Sequence, residues 1–384
     1  MILTVNAGSS SLRFSLFDEK LNRLYRGHVD AIGLKNSKYR RYFEDGSEVQ
    51  QKLSITTHQA ALHYSLDRLI DDGVISDLKH ITRVGHRVVH GGEKFTEPTL
   101  LNRRAIRALH KLSPLAPLHN PANIEGILSA MKHLPKAAHY AIFDTAFHST
   151  LPEKAYLYGL PYSLYKKEGI RRYGFHGISH KFVDSAARKL IRRKNLKVIT
   201  CHMGNGVSLA AIKNGICLDT SMGFTPLEGP MMGTRSGSID PAIIFHLAKK
   251  KPLDKIEHLL QKESGFKGVS GLSSDIRDLR ARIDSPETQR TFKLFSYQIA
   301  KLILGYSATL GGPPDAIVFT AGIGENAQYL RKYICDQLSI LGVKLSESKN
   351  KNHELVISSP ASKVKILVIP TNEELQMARE IFQL

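Results

Sequence analysis

Short apolar runs alternate along the chain with longer stretches in which apolar residues recur every three or four positions. The runs at 2–5, 12–17, 81–89, 197–202, 316–320 and 365–369 read as buried sheet strands. Between them, segment 57–72 places Leu62, Leu66, Leu69 and Ile70 at i, i+4, i+7 and i+8, one apolar helix face. A second helix is expected to start at Asn120 as N-cap, with Pro121 in its first turn. A third, 286–310, carries Phe292, Phe295, Ile299, Leu302, Ile303 and Tyr306 on one side and stops at Gly311 and Gly312. A last helix follows Pro370, with Thr371 and Glu374 spaced as a capping box, which leaves Glu373 without a structural task. Strands alternating with helices predict an α/β fold.

Two segments share one plan. LTVNAGSSSLRFSLF (3–17) and VITCHMGNGVSLAAI (198–212) each run from an apolar strand through a Gly turn into a second alternating strand. In register, Asn6 matches His202 and Gly8 matches Gly204. Equivalent hairpins in two halves of the chain predict a duplicated architecture, one copy per domain. At 384 residues the chain exceeds one ordinary core. The expected division is 1–148 with 375–384, and 149–374.

Composition narrows the class. With 42% hydrophobic and 23% charged residues the chain is a folding one. Cys201, Cys217 and Cys335 lack C-x-x-C spacing, which excludes a disulfide framework and a cysteine-rich zinc module. The N-terminus has no basic region before its apolar residues, and no stretch nears the ~20 apolar residues of a membrane span, so a soluble cytoplasmic protein is expected. A balance of 54 Lys+Arg against 35 Asp+Glu, net +19, raises the question of nucleic acid. The basic clusters at 35–41, 192–197, 249–251 and 349–351 come with no helix-turn-helix, zinc-finger or RNP signature. KYRRYF (38–43) fits a half-buried strand better than a nucleic-acid surface.

Candidate chemistry lies at the turns. No G-x-x-x-x-G-K-[ST] occurs, so this is not a P-loop protein. The turn carrying Asn6, Gly8, Ser9 and Ser11 nevertheless offers backbone N–H groups and hydroxyls beside Arg13, a setting that suits phosphate oxygens. His202, Gly204, Asn205 and Gly206 repeat it. GIGENA (322–327) formally matches the dinucleotide fingerprint, but it sits late and lacks a ribose-binding acid, so nucleotide contact is expected there without a redox cofactor. Segment 219–241, with four glycines and three prolines, has no periodicity. It is expected to be a mobile active-site loop in which Arg235 moves towards a ligand. His176 and His180 at i, i+4 lack the Glu of a zinc motif and are not read as a metal pair. Glu373, at the mouth of a strand, is a candidate Mg²⁺ ligand beside a strong alternative as a solvated surface acid.

Taken together, VNAGSSSLRFSLF, GHRVVHGGEKF, PLHNPANIEGI, FDTAFHSTLP, YGFHGISH, HMGNG, DTSMGFTPLEGPMMGTRSGSIDP, FTAGIGENA and IPTNEEL resemble, in order and over essentially the whole chain, the acetate kinase (acetokinase) family. The resemblance implies the duplicated actin/Hsp70/sugar-kinase (ribonuclease H-like) α/β fold with the active site in the cleft between two domains. It implies reversible transfer of the ATP γ-phosphoryl group to acetate, giving acetyl phosphate and ADP, by a homodimer. Carried over by motif, Asn6 and Glu373 are Mg²⁺-linked positions, mostly through water, with Mn²⁺ also suited to oxygen ligands. Arg87 and Arg235 flank the phosphoryl, His176 donates to its equatorial oxygens, and Asp144 orients Arg87 or the metal waters. Val89, Leu118, Phe175 and Pro226 form the acyl pocket, with His119 beside it. Ser9, Ser11, Arg13, His202, Gly204, Asn205 and Gly206 hold phosphates. Asp275, Ile276, Arg277 and the run Gly322, Ile323, Gly324, Glu325 and Asn326 hold adenosine.

Two positions depart from the family pattern. Arg13 stands where Lys is frequent, and Ser238 replaces an Asp three residues from Arg235. Within the family, propionate or butyrate kinase is the alternative, because one or two methylenes are worth only ~1–3 kcal/mol. From another class, an actin- or Hsp70-like ATPase shares the fold. It would need a further binding appendage or filament surface, whereas this chain is expected to finish at Leu384 after the nucleotide-fold helix. Anionic substrates account for part of the +19, and the surplus lies outside every motif.

Overall fold

The structure, a computed structural model, describes every residue except Ser9, Lys35, Glu44, Leu118 and Gln383. The expected phosphate contact Ser9 and pocket residue Leu118 therefore lie outside the described residues. The chain divides into two compact units, Met1–Ala146 with Asn372–Leu384, and Phe147–Thr371. These breaks fall two or three residues from the expected places, for a local reason. His148 already bonds Phe175 O and Cys217 Sγ of the second unit, and Thr371 bonds Glu325 and Ser179.

The first unit holds β1 (Ile2–Ala7), β2 (Ser11–Phe17), β3 (Arg23–Asp30), β4 (Ser37–Tyr42), β5 (Glu48–Leu53), β6 (Arg83–Val88), β7 (Thr99–Leu100) and β8 (Ala138–Phe143), in sheet order β5-β4-β3-β2-β1-β6-β8-β7. The second holds β9 (Lys197–Met203), β10 (Val207–Lys213), β11 (Ile216–Thr220), β12 (Ala316–Thr320) and β13 (Lys365–Val368), in order β11-β10-β9-β12-β13. β3-β2-β1-β6-β8 and β11-β10-β9-β12-β13 are the same five-stranded arrangement, an antiparallel three followed by two parallel strands. The echoing hairpins are its opening strands, β1–β2 and β9–β10. The fold is thus the duplicated actin-like α/β fold.

In the first unit, Thr57 caps the helix His58–Asp71 by accepting from the Ala60 N–H. That helix buries Leu62, Leu66 and Leu69 with Leu3, Val5, Phe14 and Leu16 of the sheet, while Ile70 stays exposed. Helix Asn120–His133 departs from expectation. Its N-cap is His119, and the Asn120 amide instead accepts from His90 N–H and donates to His90 C=O, pairing a backbone that has left the ladder of β6. The last helix, Glu373–Phe382, is capped by Asn372 Oδ1 accepting from Leu375 N–H. The expected capping box fails because Thr371 is bonded elsewhere, which frees Glu374 as well as Glu373.

Buried imidazoles set the acid stability of this unit. His139 Nε2 must donate to the Leu134 carbonyl, so its Nδ1 accepts from His86 Nε2–H, and both rings are neutral. Burial pushes the His86 pKa well down and brings His90 down to about 4. Groups held neutral in the fold take up protons in the unfolded chain once pH falls below ~6.5, so their contribution is intact above that value and is lost on acidification. We expect unfolding free energy, followed by denaturant titration, to fall by about 1.4 kcal/mol per pH unit per such histidine below ~6.5, for His90 until about pH 4, where the folded form protonates as well. His90→Asn, which keeps an acceptor for the Gly92 N–H, should reduce the slope by one proton. An equal slope in wild type and variant would refute this.

In the second unit, Ser285 caps the helix Pro286–Thr309, which buries Phe292, Phe295, Ile299 and Ile303 and gives way to Gly311 and Gly312 at positive φ. Among the described residues, no helix is long and apolar enough to cross a membrane.

Candidate active site

In the first unit, neighbouring parallel strands bring two charges together. Arg87 is on β6, and Asp144 follows β8 directly, its N–H bonded to the Val88 carbonyl. The pair is bidentate, Nε to Oδ1 at 2.9 Å and Nη2 to Oδ2 at 2.6 Å, with Asp144 buried. Burial opposes the Arg87 charge, yet Asp144 and then Glu373 outweigh it and raise its pKa. Glu373, in the first turn of the last helix, makes no direct ion pair among the described residues. Its pKa is raised by burial, against the lowering effect of Arg87, and raised further by Asp144 and Glu374.

Asn6 stands opposite Arg13 across β1 and β2, and Arg13 opposite His28 on β3. Arg13 Nε approaches His28 Nε2 to 3.5 Å, so the arginine fork leans along the sheet. The Val89 N–H is held by Asn123, whose amide also donates to the Ala7 carbonyl and ties β1 to the end of β6. Asn123 went unnoticed in the sequence, although it lies inside PLHNPANIEGI and its polarity on a buried helix face was a signal.

No cluster of three His, Cys, Asp or Glu able to hold a metal directly occurs among the described residues. Asp144 is engaged by Arg87, while the Glu373 carboxylate is open. That donor set fits a hard cation that keeps most of its water, as Mg²⁺ does.

The second unit gathers histidines. His176 and His202 stack with ring centroids 4.1 Å apart, and His202 Nδ1 bonds Ser179 Oγ. Gly206 between β9 and β10 is a glycine for a steric reason: a Cβ there would lie 3.1 Å from the His176 ring and 3.5 Å from Arg235 Nη1. Phe175 is buried, its carbonyl accepting from His148.

Segment 219–241 is packed, contrary to the mobile loop expected. Met222, Met231 and Met232 are buried, and backbone bonds tie Gly233 to Asn205, Ser236 to Leu260 and Phe266 to Met232. Buried methionines anchor what glycine content alone made look free. Ser238, in place of the expected Asp, exchanges two hydrogen bonds with Gly229 and closes the segment without a charge. Arg235 donates to the Pro226 carbonyl at 3.3 Å and approaches Met232 Sδ. It has no acidic partner among the described residues, and burial lowers its pKa.

A pocket of about 500 Å³ opens beside β9 and β12. It is lined by the expected Gly204, Asn205, Asp275, Ile276, Arg277, Gly322, Ile323 and Asn326. The expected Gly324, Glu325, His202 and Gly206 are absent from its lining. Gly324 faces the buried backbone of Phe319, and the Glu325 carboxylate accepts from Thr371 N–H. Ser274, Arg280, Ala327 and Tyr329 also line it, and the sequence reading missed them. Arg280 follows Arg277 by less than one helical turn, and its guanidinium lies 5.7 Å from the Tyr329 ring. Arg277 folds back onto Asp275, Nη2 to Oδ2 at 2.5 Å, and this lowers the Asp275 pKa.

Comparison with known proteins places the whole chain in one family. The model of the "Acetokinase family" matches residues 1–379. The acetate kinase of Thermotoga maritima is 48% identical over 393 residues, covering 99% of this chain and 97% of that protein. That of Carboxydothermus hydrogenoformans is 47% identical, covering 100% and 98%. Among solved structures, a Porphyromonas gingivalis acetate kinase superposes with a TM-score of 0.93 at 39% identity, covering 100% of this chain and 98% of that one. A propionate kinase from Francisella tularensis gives 0.93 at 38%, covering 99% and 98%.

Proposed function

The chain belongs to the acetokinase family, and on that premise we propose that it transfers the γ-phosphoryl group of ATP to acetate, reversibly, giving acetyl phosphate and ADP. The observation that carries the reading is Arg235: a half-buried guanidinium beside His176 at Gly206, with no acidic partner among the described residues. Such a charge awaits an anion, and a transferring phosphoryl group is one.

Phosphoryl transfer needs in-line positioning and neutralisation of charge on three equatorial oxygens, and little covalent chemistry from the protein. The acetate carboxylate is already a nucleophile at pH 7, so no general base is required. Arg235 and Arg87 are assigned to the phosphoryl oxygens and His176 to donating a hydrogen bond there. Asp144 holds the Arg87 fork, a role its bidentate geometry supports. Asn6 and Glu373 are assigned to a Mg²⁺ ion through its waters. When bound, that ion neutralises phosphate charge. The ~500 Å³ pocket suits adenosine, with Asn205 at its phosphate end. Val89, His119, Phe175 and Pro226 are assigned to the acyl group. Two arginines and a histidine act best with water excluded, since ATP hydrolysis competes. The reading includes a homodimer, which would cover the exposed Ile243 and Phe245 of helix Ala242–Ala248.

Purified protein with Mg-ATP and acetate is expected to form acetyl phosphate, trapped as the hydroxamate. Equal ATP turnover with and without carboxylate would instead favour an actin- or Hsp70-like ATPase. Because acetate and propionate kinases superpose equally well, kcat/KM should be compared for acetate, propionate and butyrate, with acetate expected to lead. A maximum at propionate or butyrate would overturn the acetate assignment. Light scattering at the mass of two chains would support the dimer, and a single-chain mass would sink it.

A further inference from the structure

The proposed role of His176 requires a proton on its Nε2, and the following rests on that reading. Nδ1 of His176 lies 2.9 Å from the Ser208 hydroxyl. The same hydroxyl lies 2.8 Å from Nε2 of His180, whose Nδ1 is 2.7 Å from the Thr200 hydroxyl. Thr200, His180 and Ser208 are all fully buried, on β9, helix Gly177–Ile191 and β10. Burial keeps His180 neutral, with one N–H to place.

Three hydrogen bonds need three protons, and three donation orders supply them, because the Ser208 oxygen can accept twice. In the first, Thr200 O–H donates to His180 Nδ1, His180 Nε2–H donates to Ser208, and Ser208 O–H donates to His176 Nδ1. His176 then carries its proton on Nε2. In the second, every bond is reversed and His176 Nδ1–H donates to Ser208. That order strands the Thr200 hydroxyl proton, because among the described residues His180 Nδ1 is the hydrogen-bond partner of Thr200 Oγ1 and there is no other. In the third, Thr200 and His180 donate as in the first, but His176 Nδ1–H donates to Ser208, whose own hydroxyl proton is stranded because its hydrogen-bond partners among the described residues are the two rings. A buried donor left unpaired bears its full desolvation cost, whereas in the first order every proton is used.

We propose that Thr200, His180 and Ser208 form a positioning chain that holds His176 neutral, with its proton on Nε2 as donor to the phosphoryl group. Charging His176 would put a proton on Nδ1 and strand the hydroxyl proton of either Ser208 or Thr200, so the chain also resists protonation. Within its unit, the charged or titratable groups facing His176 include the stacked His202, His180 through Ser208, and Arg235 at Gly206. None of the three chain residues is assigned to touch substrate. They act through His176.

The test joins spectroscopy to a pH profile. In ¹⁵N-histidine-labelled enzyme, with the His176 signals assigned through His176→Gln, wild type is expected to show a neutral ring protonated on Nε2 from pH 8 to 6. Ser208→Ala should release the tautomer, raise the titration of His176 and lower kcat about tenfold at pH 8, leaving KM for ATP unchanged. Part of that loss should return towards pH 6, since an imidazolium carries a proton on Nε2 whatever Nδ1 does. Ser208→Thr, which restores the hydroxyl, should restore both readouts. A merely structural serine would lower kcat equally at every pH. That result, or a proton on Nδ1 in the wild type, would overturn the chain. If His176→Ala left kcat intact, the catalytic role of His176 would fall, while the ¹⁵N spectrum would still decide the tautomer.

Discussion

Arg235→Ala is expected to lower kcat by at least ~10³ while ATP and ADP still bind. The guanidinium is held by a carbonyl and a thioether, with no carboxylate among the described residues to neutralise it. Its charge is therefore carried at a desolvation cost that an arriving anion offsets, and more fully as charge develops on the phosphoryl oxygens. Nucleotide binding should persist because Arg235 is not among the residues lining the adenosine pocket. Calorimetry on ADP and steady-state kinetics with acetate separate the two effects. Arg235→Lys should recover only part of the rate, because a point charge cannot present two parallel N–H donors. An unchanged kcat would remove Arg235 from the mechanism, and a parallel loss of ADP affinity would move it to a binding role.

Asp144→Asn should cost both stability and rate. Asp144 is 1% exposed and makes two short bonds to Arg87, so removing its charge leaves a guanidinium uncompensated in a buried place. Breaking such a pair from one side costs about 3 kcal/mol or more, seen as a lower denaturant midpoint. Glu373, the next-ranked charge acting on Arg87, softens that penalty. On the rate, Asp144 is assigned to work through Arg87 alone. The double variant Arg87→Ala with Asp144→Ala should then be no slower than Arg87→Ala. A further loss of tenfold or more in the double variant would give Asp144 chemistry of its own.

The local signals were legible because they depend on sequence neighbours. Apolar period marked the helices at 57–72 and 286–310, and the two hairpins announced the duplicated sheet. β5 escaped notice: EVQQKL is exposed almost throughout, and pairing with β4 alone makes it a strand. The caps that failed did so for the same kind of reason. Asn120 and Thr371 have cap chemistry, but distant partners at His90, Ser179 and Glu325 claimed their polar groups.

Motif order in the chain was enough to point to the family, since its motifs are short runs whose residue types are visible one after another. Their electrostatic standing was not visible. Arg87 and Arg235 look alike in sequence, yet Arg87 meets Asp144 across 57 residues of chain, and Arg235 meets a carbonyl. His176 and His180 were not read as a metal pair, but what links them appeared only when the fold set Ser208 between them and Thr200 behind. Hydrogen-bond partners of that kind are chosen by strand register and helix docking, and a charge or proton inside a fold takes its properties from those partners.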